Sequence, residues 1–192
     1  MLTSFPVWQR MNGQPKKKVI GVSFDGTGYG TDGTIWGGEI LLADYDSFTR
    51  WGCIEPFAQT GGDASAKEGW RIAVSLLGKI YGKENALLII ETLGLCEPKL
   101  AKLQFTMEER GINTVQSTSA GRLFDAVSAI LDIRKSSTFE GEASTSLQFA
   151  AEKWLDAQQQ KTFYQQLIDI NRNMKVSQES SSDADQKIIA DR

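Results

Sequence analysis

FDGTGYGTDGTIWGGE, residues 24–39, is the stretch of this chain that carries the most structural information. It holds six glycines and two aspartates between two apolar runs. Because glycine has no Cβ, a glycine-rich turn lets several backbone N–H groups point into one small volume. Aspartate and threonine beside them supply metal-binding oxygens and hydroxyl donors. The stretch is compatible with an ordinary hairpin turn. Its length favours a cradle for a phosphate or a nucleotide–metal complex.

The residues on either side of this block predict a β-meander followed by helices. Apolar and β-branched runs predict strands at Val19–Phe24, Thr34–Leu42 and Phe48–Ile54, the first of them buried. Apolar spacing then predicts helices at Ala64–Tyr81, Glu84–Leu95, Pro98–Arg110, Ser119–Leu131 and Glu142 to about Lys175. Asp63 is the predicted N-cap of the first helix. Strands followed by helices indicate an α/β or α+β layer structure.

Shifts in composition divide the chain into four parts. Residues 1–18 form a polar leader that ends in three lysines, and residues 19–155 form the predicted folded domain. Residues 156–176 are a predicted helical extension. The serine-rich residues 177–192 are expected to be a disordered tail.

Composition excludes several classes of function. The 192 residues, 41% of them hydrophobic, suit one globular domain, and the net charge of −3 gives no reason to expect nucleic-acid binding. No apolar run is long enough to span a bilayer, and no signal peptide is expected. The two cysteines lack metal-like spacing, which favours packing roles and a cytoplasmic protein. With no histidine in the chain, catalysis by a Ser-His-Asp or Cys-His arrangement within it is excluded.

Four motifs resemble those of the HypF carbamoyltransferases, in the same order. The first is DGTGYGTDGTIWGGE at 25–39, and the second consists of PF at 56–57, GGDA at 61–64 and WR at 70–71. The third is STSAGRLFDAV at 117–127, and the fourth is TFEGEA at 138–143. The resemblance covers about residues 18–155 and the middle of the family's Kae1-like domain. It implies an α/β fold, namely a partial actin-like ATPase lobe of the Kae1 type with a ribonuclease-H-like sheet.

The resemblance also implies a nucleotide site built from three of these motifs. The glycine-rich block would lie against the phosphates of an adenylate, the third motif would approach the ribose, and the fourth would close over the adenosine. The implied nucleotide-binding residues are Gly26, Thr27, Gly28, Gly30, Asp125, Gly141 and Glu142. Asp25 is the implied metal ligand, although the family's other metal ligands, two histidines and a later aspartate, have no counterpart in this chain.

The roles of three polar residues near this site stay open. Asp32 and Glu39 are both candidates to face the site, and Asp32 has the alternative of shaping the turn through an Asx hydrogen bond. Arg122 is either a structural ion-pair partner or a positive charge beside a phosphate.

The resemblance implies transfer of a carbamoyl group from carbamoyl-adenylate to the C-terminal cysteine of HypE, during maturation of nickel–iron hydrogenases. The implied cofactors are ATP or carbamoyl-adenylate with a divalent metal, and no catalytic residue can be assigned. The chain would be a fragment or split subunit whose partners are a HypE-like acceptor and a missing HypF lobe, or a second copy of itself. Two alternatives stay open. One is a non-enzymatic remnant or interaction subunit, and the other is a carbamoyltransferase with a small-molecule acceptor.

Overall fold

The computed structural model describes residues 18–44 and 46–157. One compact unit ends at Gln148 and a second begins at Phe149. Most of the predicted leader, nearly all of the helical extension and the whole predicted tail lie outside the described residues. Among those that are described, no helix is long and apolar enough to cross a membrane.

The sheet of the first unit contains the predicted meander and two further short strands. Its strands are β1 Val19–Tyr29, β2 Ile35–Ala43, β3 Phe48–Cys53, β4 Phe57–Thr60 and β5 Thr114–Ser117. The first three pair antiparallel in sequence order. β5 lies parallel to β2 at Ile35 and Ser117 and antiparallel to β4. The α/β prediction is confirmed, while β4 and β5 were not predicted.

The glycine-rich block is mostly strand rather than turn. β1 continues past Phe24 to Tyr29, and its register against β2 shifts between Phe24 and Gly28, which marks a β-bulge. The hairpin turn comes later, where the backbone N–H of Gly30 donates to the carbonyl of Thr34 over 2.9 Å. The prediction that the first strand ends at Phe24 is therefore wrong. The bulge lets the strand bend and continue.

The prediction that the first strand is buried is also wrong. Ile20, Val22 and Phe24 lie on one face of β1 and are 61%, 63% and 67% exposed, whereas Gly21 on the other face is buried. Among the described strands β1 pairs only with β2. A continuous apolar run predicts burial on both faces only where a second layer covers the strand.

Six helices follow the meander in the part of the chain that the structure describes. They are α1 Ala64–Lys67, α2 Gly69–Tyr81, α3 Lys83–Thr92, α4 Pro98–Glu109, α5 Ala120–Ile130 and α6 Glu142–Ala157. The prediction of one helix over Ala64–Tyr81 is wrong, because Glu68 has φ −104° and ψ 80° and breaks it in two. Asp63 occupies the N-cap position of α1, but its side chain makes no capping hydrogen bond.

The hydrophobic core of the first unit forms around α2. Ile72, Ala73 and Val74 of this helix are fully buried, and Phe57 of β4 and Phe105 of α4 belong to the same cluster. Because its apolar face is buried, α2 provides a rigid base between the sheet and the helices. The half-buried Cys96 packs against this cluster, and burial raises the pKa of its thiol, which agrees with the predicted packing role.

Candidate functional site

A cavity of ≈ 240 Å³ brings three of the four motifs together. Gly26 and Thr27 line it from β1, Arg122 from α5, Ala66 and Lys67 from α1, and the loop residues 137–140 from the start of the fourth motif and the serine before it. These segments are far apart in sequence, and the fold makes them neighbours. We treat this space, called the Arg122 cavity below, as the candidate functional site.

Ser119 joins β1 to the start of α5 at this cavity. Its Oγ accepts a hydrogen bond from the backbone N–H of Arg122 over 3.1 Å, which is an N-cap, and donates to the carbonyl of Gly26 over 2.7 Å. Gly121 allows the two backbones to meet, since a Cβ there would lie 2.8 Å from Cα of Gly26. The serine cap and the glycine together place Arg122 against β1.

Arg122 is the most buried of the charged residues that line this cavity. Its side chain lines the cavity although the residue is only 8% exposed. Nη1 donates to the carbonyl of Ala66, Nη2 lies 3.0 Å from Oδ2 of Asp125, and Nε has no hydrogen-bond partner among the described residues. An unpaired donor on a buried guanidinium is costly unless a ligand satisfies it. Of the two interpretations of Arg122, the structure contains the ion pair, and it leaves Nε as a buried donor without a partner among the described residues.

Asp125 lies behind Arg122 and does not line the Arg122 cavity. It is buried, and burial raises the pKa of its carboxyl while the neighbouring Arg122 opposes that rise. The helix therefore positions Asp125 to neutralise and orient the arginine. Its predicted contact with a ribose stays a prediction.

Glu142 fixes the loop that closes the cavity. Its Oε2 accepts from the backbone N–H of Thr138 over 2.6 Å and from the Thr138 hydroxyl over 2.9 Å, and its Oε1 lies 3.2 Å from Nη2 of Arg134. The Thr138 N–H and hydroxyl, with the charge of Arg134, hold the pKa of this carboxyl below its usual range. Gly141 turns the chain at φ +76° before the helix begins. Thr138 and Phe139 face the cavity, whereas Gly141 and Glu142 support them from behind.

Gly28 and Gly30 do not line the Arg122 cavity. Gly30 belongs to the hairpin turn, where a Cβ would lie 2.1 Å from Nε1 of Trp36. This glycine is required for close packing of the turn against the indole ring. The predicted contact of both glycines with phosphates remains a prediction.

Asp25 is exposed beside the cavity, and its Oδ1 accepts from the backbone N–H of Gly26 over 2.7 Å. Within the described residues, no group of three or more His, Cys, Asp or Glu side chains could hold a metal ion. One exposed carboxylate that already accepts a backbone hydrogen bond does not fit a metal centre by itself.

Asp32 and Glu39 both stabilise the hairpin rather than face the cavity. Asp32 Oδ1 accepts from the backbone N–H of Thr34 and from Nε1 of Trp36, each over 3.0 Å. Glu39 is fully buried, and its Oε2 lies 2.6 Å from Nε of Arg50. The Asx-turn interpretation of Asp32 is confirmed.

Arg50 is a residue that sequence analysis did not single out. Besides Glu39, its guanidinium contacts Asp32 over 3.2 Å and Oγ1 of Thr118 over 3.2 Å, and it stacks 4.3 Å from the ring centroid of Trp36. A lone arginine in a strand gives no sequence signal of such a role. Lys67 and Ser137 were missed for a similar reason, since they adjoin the second and fourth motifs without belonging to their recognisable cores.

Comparisons with known proteins agree with the motif resemblance. Residues 21–192 match the family model described as the second subdomain of the Kae1-like domain of carbamoyltransferases. The match extends beyond residue 155, where the motif resemblance ends. A probable carbamoyltransferase HypF of Methanocaldococcus jannaschii is 40% identical over 136 residues, and carbamoyltransferase HypF of Rhodobacter capsulatus is 39% identical over 142 residues. These alignments cover 71% and 70% of this chain and 18% of each relative.

Solved structures give the same result for the fold. A crystal structure of full-length HypF in the phosphate- and nucleotide-bound form matches with a TM-score of 0.64 at 32% identity, over 74% of this chain and 18% of that chain. HypF of T. kodakarensis matches with a TM-score of 0.58 at 31% identity, over 68% of this chain and 18% of that chain. The Kae1-type fold prediction is confirmed, and the chain spans less than a fifth of the length of these relatives. The chain belongs to the HypF family of carbamoyltransferases.

Proposed function

We propose that the Arg122 cavity binds the phosphate end of an adenylate and that the chain is part of a HypF-type carbamoyltransferase. The observation that carries this proposal is the guanidinium of Arg122, which is buried, lines the cavity and keeps Nε without a partner among the described residues. A phosphate oxygen there would satisfy this donor and form a charge-assisted hydrogen bond.

The other lining groups suit a nucleotide. Lys67 adds a second positive charge, and Ser137 also lines the same space. Phe139 also lines the cavity, and this residue is 64% exposed. An exposed aromatic ring can stack on a base, and such stacking contributes about 1–3 kcal/mol in nucleic-acid complexes. One end of the cavity would therefore hold phosphate and the other adenine.

The relatives named as HypF carbamoyltransferases, and the nucleotide-bound state of one HypF crystal structure, support the same chemistry. In the proposed reaction the thiol of the C-terminal cysteine of HypE attacks the carbamoyl carbon of carbamoyl-adenylate. The C–S bond forms, the C–O bond to the phosphate breaks, the thiol proton is released and AMP leaves. Arg122 and Lys67 would stabilise the charge that develops on the leaving phosphate.

The rest of the site is proposed to come from outside this chain. The described residues do not fit a metal centre, so no step of the proposal depends on a metal or on Asp25 as a ligand. Because the chain covers 18% of the M. jannaschii relative and of the nucleotide-bound HypF structure, the missing lobe would be supplied by the remainder of a HypF-type protein or by a second copy. We expect the HypE-like acceptor to approach the completed assembly.

Calorimetric titration of the full chain with AMP tests the proposed site. The informative variant is Gly26→Ala, whose added methyl would lie 3.6 Å from Nη2 of Arg122, an ordinary contact that keeps the fold but would narrow the proposed phosphate site. We expect AMP affinity to fall about tenfold or more, the equivalent of one lost charge-assisted hydrogen bond.

Gly52→Ala is the matched control, since its methyl would lie 3.8 Å from Ile40, within ordinary contact distance and on β3, which does not line the cavity. It should bind AMP like the wild type. Equal AMP affinity in the two variants, or no saturable binding of AMP by the wild type, would refute the proposed site.

A further inference from the structure

A second and larger cavity, of ≈ 380 Å³, adjoins the Arg122 cavity. The two spaces share Thr27 and Ala66 as lining residues. We call the second one the Gln59 cavity, after the residue that reaches it from β4. No lysine or arginine occurs among the described residues that line it, in contrast to the Arg122 cavity. The two cavities therefore differ in the charge they can bind.

Gln59 lines this cavity and carries a buried acceptor without a partner among the described residues. The residue is 7% exposed, its Nε2 donates to Oγ of Ser65 over 3.0 Å, and its Oε1 has no hydrogen-bond partner among the described residues. Ser65 fixes this orientation of the amide. The single hydroxyl proton of Ser65 goes to the carbonyl of Gly62 over 2.5 Å, so Ser65 must accept from Gln59. The free group of Gln59 is therefore the carbonyl oxygen, and it needs an N–H or O–H donor.

Two further lining side chains present acceptors. The hydroxyl of Thr27 donates its proton to the carbonyl of Gly26 over 2.7 Å, so only its lone pairs remain for a ligand. Asp63 lines the cavity with a carboxylate that makes no capping bond to its helix. Asn113 also lines the cavity, but its amide supplies a donor and an acceptor and favours neither kind of ligand. The Gln59 cavity is thus built to receive a group that donates hydrogen bonds.

We propose that the Gln59 cavity holds the amino end of the group to be transferred, with Oε1 of Gln59 accepting a hydrogen bond from its NH₂. This inference rests on the proposed function, in which the phosphate end of the same ligand lies in the Arg122 cavity. The two cavities share Thr27 and Ala66, and the proposed ligand would place its anion against Arg122 and its N–H donor against Gln59. Gln59 is then a residue that determines specificity for a carbamoyl group over an acyl group of the same shape.

The test is a matched pair of stable acyl-sulfamate analogues of an adenylate, titrated into the full chain by calorimetry. 5′-O-(N-carbamoylsulfamoyl)adenosine ends in NH₂, and 5′-O-(N-acetylsulfamoyl)adenosine ends in CH₃. We expect the wild type to bind the carbamoyl compound about tenfold more tightly, because a buried acceptor is left unpaired by the methyl group.

One variant assigns the preference to Gln59. Gln59→Leu should remove the tenfold preference and leave AMP affinity unchanged. Circular dichroism and AMP binding show whether the variant is folded. Equal affinity of the wild type for the two analogues, with AMP still bound, would overturn the role of Gln59 and leave the proposed function intact. Failure of AMP and of both analogues to bind would overturn both.

Discussion

Replacing Asp125 with alanine is expected to lower the free energy of unfolding by about 3–5 kcal/mol, the usual cost of removing one partner of a buried ion pair. The variant leaves the guanidinium of Arg122 buried with the carbonyl of Ala66 as its remaining partner among the described residues. Burial raises the pKa of Asp125 and Arg122 only opposes that rise. The loss therefore comes from the unpaired arginine rather than from favourable ionisation of Asp125.

Urea unfolding followed by circular dichroism measures this change. Glu55→Ala is the control, because Glu55 also pairs with a cation, Lys79, over 2.6 Å, but is largely exposed. Exposed pairs contribute about 0–1 kcal/mol. If Asp125→Ala changed stability as little as Glu55→Ala, the guanidinium of Arg122 would have to reach water, and the description of a buried charge at the cavity would be wrong.

The second large effect is expected at Glu39, whose carboxylate holds the hairpin together. Its Oε1 accepts from the backbone N–H of Gly37 over 3.2 Å and from the hydroxyl of Thr118, and its Oε2 pairs with Arg50. Glu39→Gln removes the charge while keeping the shape. We expect the free energy of unfolding at pH 7 to fall by about 2–4 kcal/mol, since Arg50 loses its strongest partner and one buried contact becomes mismatched.

The pH dependence of that difference gives a sharper test. Burial alone would raise the pKa of Glu39, but the hydrogen bonds from Arg50 and Thr118 outweigh it and lower the pKa below its ordinary value of 4.5. The native state therefore binds this proton less tightly than the unfolded state. The stabilisation is fully present above about pH 4.5 and is lost as the pH falls through the lowered pKa.

Unfolding of the wild type and of Glu39→Gln should be compared from pH 7 to pH 3. Every other carboxylate is common to both proteins, so the difference isolates Glu39. We expect the difference to shrink as the pH falls. A difference that stays constant over this range would show that the pKa of Glu39 is not lowered in the folded protein.

The three strands of the meander and the family could both be predicted from the sequence. Glycine and polar turn residues separate the apolar runs of β1, β2 and β3, and such local patterns predict strands without knowledge of the tertiary structure. The strands β4 and β5 have four residues each, and in so short a segment the alternation of apolar and polar residues that predicts a strand cannot be recognised. The exposed face of Ile20, Val22 and Phe24 could not be predicted either, because burial of an apolar strand depends on whether another layer covers it.

The candidate site was predictable in part. The motifs containing Gly26, Thr27 and Thr138 do meet at one cavity. The sequence does not show which residues of these motifs line the cavity and which hold the lining residues in place. Asp125 and Glu142 do the latter, by pairing with Arg122 and by accepting from Thr138, and these contacts depend on three-dimensional packing. The unpaired acceptor of Gln59 also has no sequence signature beyond a polar residue in the short run Phe57–Thr60, because the bond that orients it comes from Ser65 on the following helix.

Hydrogen–deuterium exchange of the full chain with and without AMP tests whether the motifs form one nucleotide-binding cavity. We expect slower exchange in two separate segments at once, residues 25–28 and residues 137–141. A third cavity, lined by Lys79, Lys83 and Glu108, provides the internal comparison and should show no change. Protection at that third cavity alone, or no protection in either predicted segment at saturating AMP, would show that the motifs do not form a nucleotide site.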